Sequence, residues 1–221
     1  MKLRSSFLAL IACAAALLPD PAAGQTSSRA GDTRAALLER AAESRTRGSP
    51  DAPLLVYEIA DFQCPFCAQF AQDVFHQIDS AYVSTGRVQW VFVNLPMPSH
   101  SRAWIATEAA LCAGAVSDRF WVMHDRLFVA GQEWISAADP AAILSRYARD
   151  AGVDMERFDA CVAADEVAPI ILQDVIFGSR VTGTPTFVVN NRVTNRQQTV
   201  VGVKGFSEWR EVLDGLLRSK D

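Results

Sequence analysis

The chain has 221 residues, half of them hydrophobic, with 21 basic and 25 acidic side chains and a net charge of −4. That length suits one domain with a real core, or one domain carrying an inserted subdomain. No basic run offers a nucleic-acid surface, and beyond residue 25 no apolar run approaches membrane-spanning length.

The first residues read as a leader. Lys2 and Arg4 precede an apolar stretch from Phe7 to Leu18, and Ala22, Ala23 and Gly24 follow. A positive start, a short apolar core and a small-residue site mark a secretory signal peptide, residues 1–24. The stretch is too short to span a bilayer. Leu10-Ile11-Ala12-Cys13 also resembles a bacterial lipoprotein box, which would acylate Cys13. The apolar run continues past that cysteine to Leu18, which favours ordinary cleavage before Gln25. The expectation is a soluble mature chain in the periplasm. Cys64, Cys67, Cys112 and Cys161 then remain, and an oxidising compartment permits disulfides among them, with three pairings open.

Residues 25–49 read as a leader and a helix, capped by Asp32 or Thr33, with Leu37, Leu38, Ala41 and Ala42 on its apolar side. Gly48, Ser49 and Pro50 end it. Leu54 to Ala60 is a central strand, nearly all apolar but interrupted by Glu58. Asp61-Phe62-Gln63 makes a turn, and a helix runs from about Cys64 to Tyr82, with Cys67, Phe70, Val74, Phe75 and Ile78 at helical spacing. Arg87 to Asn94 is a second strand, parallel to the first. From about 99 to 180 the pattern is helical, in segments separated by Gly114, Gly131, Pro140 and Gly152. Strands return at 186–190 and 199–203, with Asn190-Asn191 suited to the hairpin turn, and a last helix begins at a Ser207 cap. The two ends form one α/β layer into which the helical middle is inserted.

Cys64-Pro65-Phe66-Cys67 sits where a strand meets a helix. Unpaired amides and the helix dipole at that position stabilise a Cys64 thiolate, the reactive form of a thiol. Cys67, about one turn on and deeper, can close or receive a disulfide. Pro65 fits the first turn, where its missing N–H costs nothing. A scaffold disulfide or half of a zinc site is the competing reading, but a zinc ribbon needs a second close pair. No metal site is expected; His76, His100 and His124 lack ligand spacing and belong at solvated or core-edge positions. Glu58, alone in its strand, is either a buried acid able to pass protons to and from Cys67 or a carboxylate at a strand edge. In Gly183-Thr184-Pro185-Thr186, Pro185 opens the returning strand. A cis bond there would expose the Thr184 backbone to a visiting peptide, although most X-Pro bonds are trans.

The run Asp61 to Cys67, the helical insert with Phe120 to Phe128, and Gly183 to Phe187 together resemble the DsbA-type branch of the thioredoxin superfamily over roughly residues 50–219. The resemblance implies a thioredoxin-like α/β fold with an inserted helical subdomain. It implies Cys64 as nucleophile, Cys67 as resolving cysteine, Glu58 as buried acid and Pro185 as a cis-proline facing the disulfide. Pro65, Phe66 and Thr184 would border the substrate. It further implies a Cys112–Cys161 disulfide in the insert, two buried free thiols being the alternative. The activity implied is dithiol oxidation of exported proteins by a monomer with no organic cofactor, reoxidised by a membrane quinone-linked partner. Known strong oxidants of this branch carry Pro-His between the cysteines. Phe66 has no ring N–H to offer a thiolate, so oxidising strength stays open. Competing functions are a reductase or isomerase using the same residues, a soft-metal carrier for an ion such as Cu(I), and a binding module with a vestigial pair.

Overall fold

The computed structural model describes residues 33–218, so the signal-peptide and Cys13 readings lie outside the described residues. Strands β1 (Thr46–Arg47), β2 (Leu54–Ala60), β3 (Val88–Asn94), β4 (Thr186–Asn191) and β5 (Gln197–Val201) form one sheet in the order β1-β3-β2-β4-β5. β2 takes the centre because its residues are apolar on both faces, which only a doubly covered strand tolerates. It pairs parallel with β3, Leu54 opposite Val88 and Ala60 opposite Asn94. On its other side it pairs antiparallel with β4, where Ile59 faces Thr186.

Alternation along β2 divides the core. Leu54, Val56 and Ala60 face a layer built from Phe70 and Ile78 of the helix after β2 and Trp209 and Leu213 of the C-terminal helix (Phe206–Arg218). Ile59 joins Val93 and Leu95 in a smaller cluster on the opposite face, against Val175. The helix after β2 spans residues 65–83 and contains two π turns, Ala71–Phe75 and Asp79–Val83. The wider i to i+5 turn lets Phe70 and Phe75, five residues apart, both enter the core, their rings 6.3 Å apart.

The insert comprises Ala103–Ser117, Phe120–Val129, Gly131–Ser136, Pro140–Asp150, Met155–Ala163 and Ala168–Gly178. Asp139 and Asp154 cap two of these helices by accepting from Ala142 N–H and Arg157 N–H. Cys112 and Cys161, both buried, are bonded and join Ala103–Ser117 to Met155–Ala163.

Several local expectations are corrected. Gly114 does not end a helix. It lies inside Ala103–Ser117, where a Cβ would come within 2.1 Å of Ser44 Oγ, so glycine there permits close approach of the N-terminal helix (Arg34–Ser44). The break falls instead at Asp118, whose φ is +53°. Asn190 and Asn191 belong to β4, and Asn191 Oδ1 organises the turn beyond it by accepting from Val193 and Thr194 N–H at 2.8 and 2.9 Å. The last helix starts at Phe206, one residue before Ser207, and Glu208 accepts from Gly205 N–H. His124 is in the core rather than at its edge, enclosed by Phe92, Trp121 and Phe128. Burial lowers its pKa, because the imidazolium would lose its hydration there.

A buried ion pair ties insert to sheet. Arg45 Nη1 donates to Asp174 Oδ1 at 2.6 Å and to the Phe92 carbonyl at 3.1 Å. Asn94 donates to Asp174 Oδ2 through both its backbone N–H and its side chain. Removing one partner strands the other charge in the interior. Asp174→Ala is therefore expected to cost roughly 3–5 kcal/mol of unfolding free energy, read from urea denaturation, whereas breaking an exposed pair such as Lys204–Glu208 should change it far less.

Candidate active site

Three chain segments meet where β2 ends. Leaving Ala60, the backbone turns at Asp61, whose buried carboxylate works in two directions. Its Oδ1 accepts from Gln63 N–H at 2.6 Å, closing the turn; its Oδ2 accepts from Met97 N–H at 2.7 Å and meets His100 Nδ1 at 2.8 Å. Gln63 Oε1 accepts from Arg102 N–H. The loop after β3 is thus stitched to the turn that presents the cysteines. Phe62 fastens the same turn from below, its ring 5.0 Å from Phe92 and 5.1 Å from Phe128.

Cys64 is the N-cap of the helix at residues 65–83, with extended φ and ψ, and Pro65 opens the helix. From the other side comes the loop before β4, in which the Thr184–Pro185 bond is cis. The Cys64 thiol donates to the Thr184 carbonyl at 3.4 Å. Cys64 is 5% exposed and Cys67 fully buried, and both are free thiols here. Phe66, between them, is 60% exposed, Pro65 is exposed, and Thr184 is half-buried. A groove of about 630 Å³ runs beside Cys64 and Pro65, walled by Phe128, Val129 and Ile135.

The two thiols differ electrostatically. Cys64 is lowered from 9.0 to about 6. The hydrogen bond from the Cys67 thiol does most of this; burial opposes it, and the Thr184 side chain and the amides of Cys67 and Phe66 add to it. Cys67 moves the other way, first through burial and then through the adjacent Cys64 thiolate. One thiol is poised to ionise and its neighbour to keep its proton.

Glu58 is not at a strand edge. It is 1% exposed in the middle of β2, and burial raises its pKa to about 8, against the lowering effect of a hydrogen bond from Trp90. Trp90 Nε1–H donates to Oε2 at 2.8 Å, and Oε1 has no partner. Glu58 shares the sheet face on which Cys67 and Phe70 are packed. Neither Trp90 as partner of Glu58 nor Asp61 as a brace was part of the sequence reading. The signals were a strand tryptophan needing an acceptor when buried, and an aspartate at a turn able to bond forward along its own backbone. Among the described residues no cluster of three or more His, Cys, Asp or Glu could hold a metal ion.

Residues 40–208 match the family model described as Thioredoxin, and the chain belongs to that family. Its fold is DsbA-like. The crystal structure of Wolbachia pipientis α-DsbA1 superposes with a TM-score of 0.68 at 22% identity, covering 78% of this chain and 89% of that one. Oxidised BdbD of Bacillus subtilis superposes with a TM-score of 0.63 at 22% identity, covering 79% and 93%. Disulfide bond formation protein D of Bacillus subtilis is 26% identical over 175 residues, 75% of this chain and 72% of that protein. A Salinispora tropica protein named Na(+)/H(+) antiporter NhaA 3 is 41% identical over 149 residues, 66% of this chain but 21% of the relative. The chain thus spans about a fifth of that relative's length, and no described helix is long and apolar enough to cross a membrane.

The two thiols should titrate apart. Iodoacetamide labelling of the reduced protein is expected to follow one thiol, Cys64, with an inflection near pH 6, while Cys67 stays unlabelled to pH 9. Because the folded pKa of Cys64 lies below its unfolded value, its ionisation stabilises the dithiol form. That contribution is full above about pH 9 and is lost as pH falls through about 6. Equal labelling of both cysteines would contradict the assigned asymmetry.

Proposed function

We propose that this protein is a periplasmic thiol–disulfide oxidoreductase that introduces disulfides into exported proteins through Cys64 and Cys67. The inequality of the two cysteines carries the reading: a stabilised thiolate at a helix N-terminus beside a cis-proline, with a buried protonated thiol behind it.

In the oxidised enzyme a substrate thiolate attacks Cys64 Sγ. The Cys64–Cys67 bond breaks and its electron pair leaves on Cys67, which takes up a proton and becomes a thiol. Glu58 supplies that proton from within the core. A second substrate thiolate, its proton released to solvent, then attacks the substrate sulfur of the mixed disulfide. The electron pair leaves on Cys64, which needs no proton because its environment favours the anion. Two electrons pass from the substrate dithiol to the enzyme, and one substrate disulfide forms. Thr184 and Pro185 offer backbone to an extended substrate segment, and Pro65 and Phe66 border it. The enzyme acts as a monomer, and a membrane quinone-linked partner reoxidises it.

The name of the Bacillus subtilis relative, disulfide bond formation protein D, is in keeping with this chemistry. Phe66 bears on direction. It contributes only its amide to the Cys64 thiolate, and the resulting pKa of about 6 lies between the ~3.5 of a strong oxidant and the ~7 of a reductant. The reduction potential is accordingly expected between about −120 and −270 mV, measured by equilibration with glutathione buffers. A value at the negative end of that window would assign a reductase.

Cys67→Ala is expected to keep a reactive Cys64 but lose the intramolecular escape, so mixed disulfides with exported proteins accumulate. Cys64→Ala should form none. Non-reducing electrophoresis after alkylation at harvest reads both. If Cys67→Ala gives no reducible adducts while wild type binds Cu(I) tightly, a metal carrier replaces the oxidoreductase.

A further inference from the structure

Glu58 lies in a layer of rings, and one of them holds it. Trp90 is fully buried on β3, with Val56 directly opposite it, which makes Glu58 its diagonal neighbour across the parallel pair. Its indole N–H reaches Oε2 at 2.8 Å. The same indole stacks on Phe70 of the cysteine helix, with centroids 6.0 Å apart and planes 12° from parallel. Phe75, Phe187 and Trp209 close around it at 5.2, 5.8 and 5.6 Å. The tryptophan therefore cannot swing away from the carboxyl group, and no basic side chain shifts the proton affinity of Glu58. A carboxyl group gripped at one oxygen by a neutral donor carries its exchangeable proton on the other. Oε1 is that oxygen, buried and without a partner.

We propose that Trp90 is the positioning residue for proton transfer at Cys67: it clamps Oε2 of Glu58, assigns the mobile proton to Oε1, and registers the carboxyl group to the cysteine helix through Phe70. This rests on the oxidoreductase reading above. When the Cys64–Cys67 bond is broken by a substrate thiolate, the proton on Oε1, which has no protein partner of its own, is relayed through a bridging water to the departing Cys67 sulfur and leaves a carboxylate that keeps the indole bond. When the pair is reoxidised, Cys67 returns that proton as its sulfur forms the new bond. A neutral donor suits a group that must change charge twice per cycle. A cation in the place of Trp90 would hold Glu58 ionised and empty it of the proton. The other buried titratable groups of this layer are Cys64 and Cys67 and, at the far end of the same helix, Tyr82, which is bonded to Asp214; Asp73 and His76 on the cysteine helix and Glu208, Arg210, Glu211 and Arg218 on the C-terminal helix are exposed, and Asp79 is half-buried beside Arg47. His124 lies beyond Phe92. None of these replaces the indole at Oε2.

The test uses the full mature protein, held reduced and labelled with 15N in its tryptophan side chains. The Trp90 indole signal, assigned by its loss in Trp90→Phe or by through-bond experiments, should shift between pH 5.5 and 9.5 with one inflection near pH 8, and stay flat in Glu58→Gln. In parallel, the pH profile of oxidation by glutathione disulfide is recorded. Trp90→Phe should move the Glu58 inflection upward by roughly half to one pH unit, what one neutral hydrogen bond to the carboxylate supports. In a Glu58→Gln background the same change should leave the profile unmoved. A flat Trp90 signal in wild type overturns the proposal, and this reading stands even if Trp90→Phe fails to fold. An unmoved profile in folded Trp90→Phe overturns it as well. Failure of the parent reading looks different: wild type then exchanges no disulfide at any pH, whatever the indole reports.

Discussion

The double pairing of β2 is the constraint on which the remaining structure depends. Every residue of that strand is matched to β3, and Leu54 to Ile59 are matched to β4 as well. The ladders fix three chain exits at one end of the sheet: Asp61 after β2, Leu95 after β3, and Pro185 before β4. Leu95 N–H still bonds to the Ala60 carbonyl at 2.8 Å, so the exits are held as rigidly as the strands. A cysteine placed four residues beyond β2 then meets the Thr184 carbonyl without further design. A register slip of one residue would turn Glu58 out of its layer and Ile59 into it.

A polarity follows from that placement. At the surface end, Cys64 has the hydrogen bond of the Cys67 thiol first, then the Thr184 side chain and the amides of a helix start, and its thiolate is favoured. One turn inward, Cys67 has apolar walls and a negative neighbour, and its thiol is favoured. Below it, Glu58 is held protonated at neutral pH by the same burial. The three groups form a gradient from wet and anionic to dry and neutral. In the proposed cycle, electrons would enter at Cys64 and the compensating proton would come from Glu58.

The insert contributes walls rather than chemistry. Phe120, Trp121 and Phe128 pack down on Phe62 and Phe92, and Phe128 with Val129 forms one side of the groove beside Cys64. Its attachments are of two kinds: the covalent Cys112–Cys161 link within it, and the buried Arg45–Asp174–Asn94 cluster that joins it to β3. A paired buried charge is a poor source of net stability but a strict enforcer of arrangement, and here it sits directly behind the exit of β3.

Elements whose cause is local were legible in the residues themselves. β2, β3, the helix starting at Pro65 and the helical middle follow from apolar periodicity, proline placement and caps, which act within a turn or two of the chain. Cys64, Cys67, Glu58 and Pro185 stood out because each breaks the pattern around it: thiols at a helix start, an acid among apolar residues, a proline opening a strand. What depends on partners distant in sequence was not legible. Gly114 has the composition of a helix break, yet a glycine inside a helix becomes a close-packing point once Ser44, seventy residues away, is brought against it. The placement of Cys64 depends on Thr184, the confinement of Glu58 on Trp90, and the burial of His124 on Phe92. The residues alone thus determine which chemistry the chain carries. The tertiary structure decides the charge each group holds, because that charge is set by desolvation and by neighbours that only the closed sheet and its helical cover bring into contact.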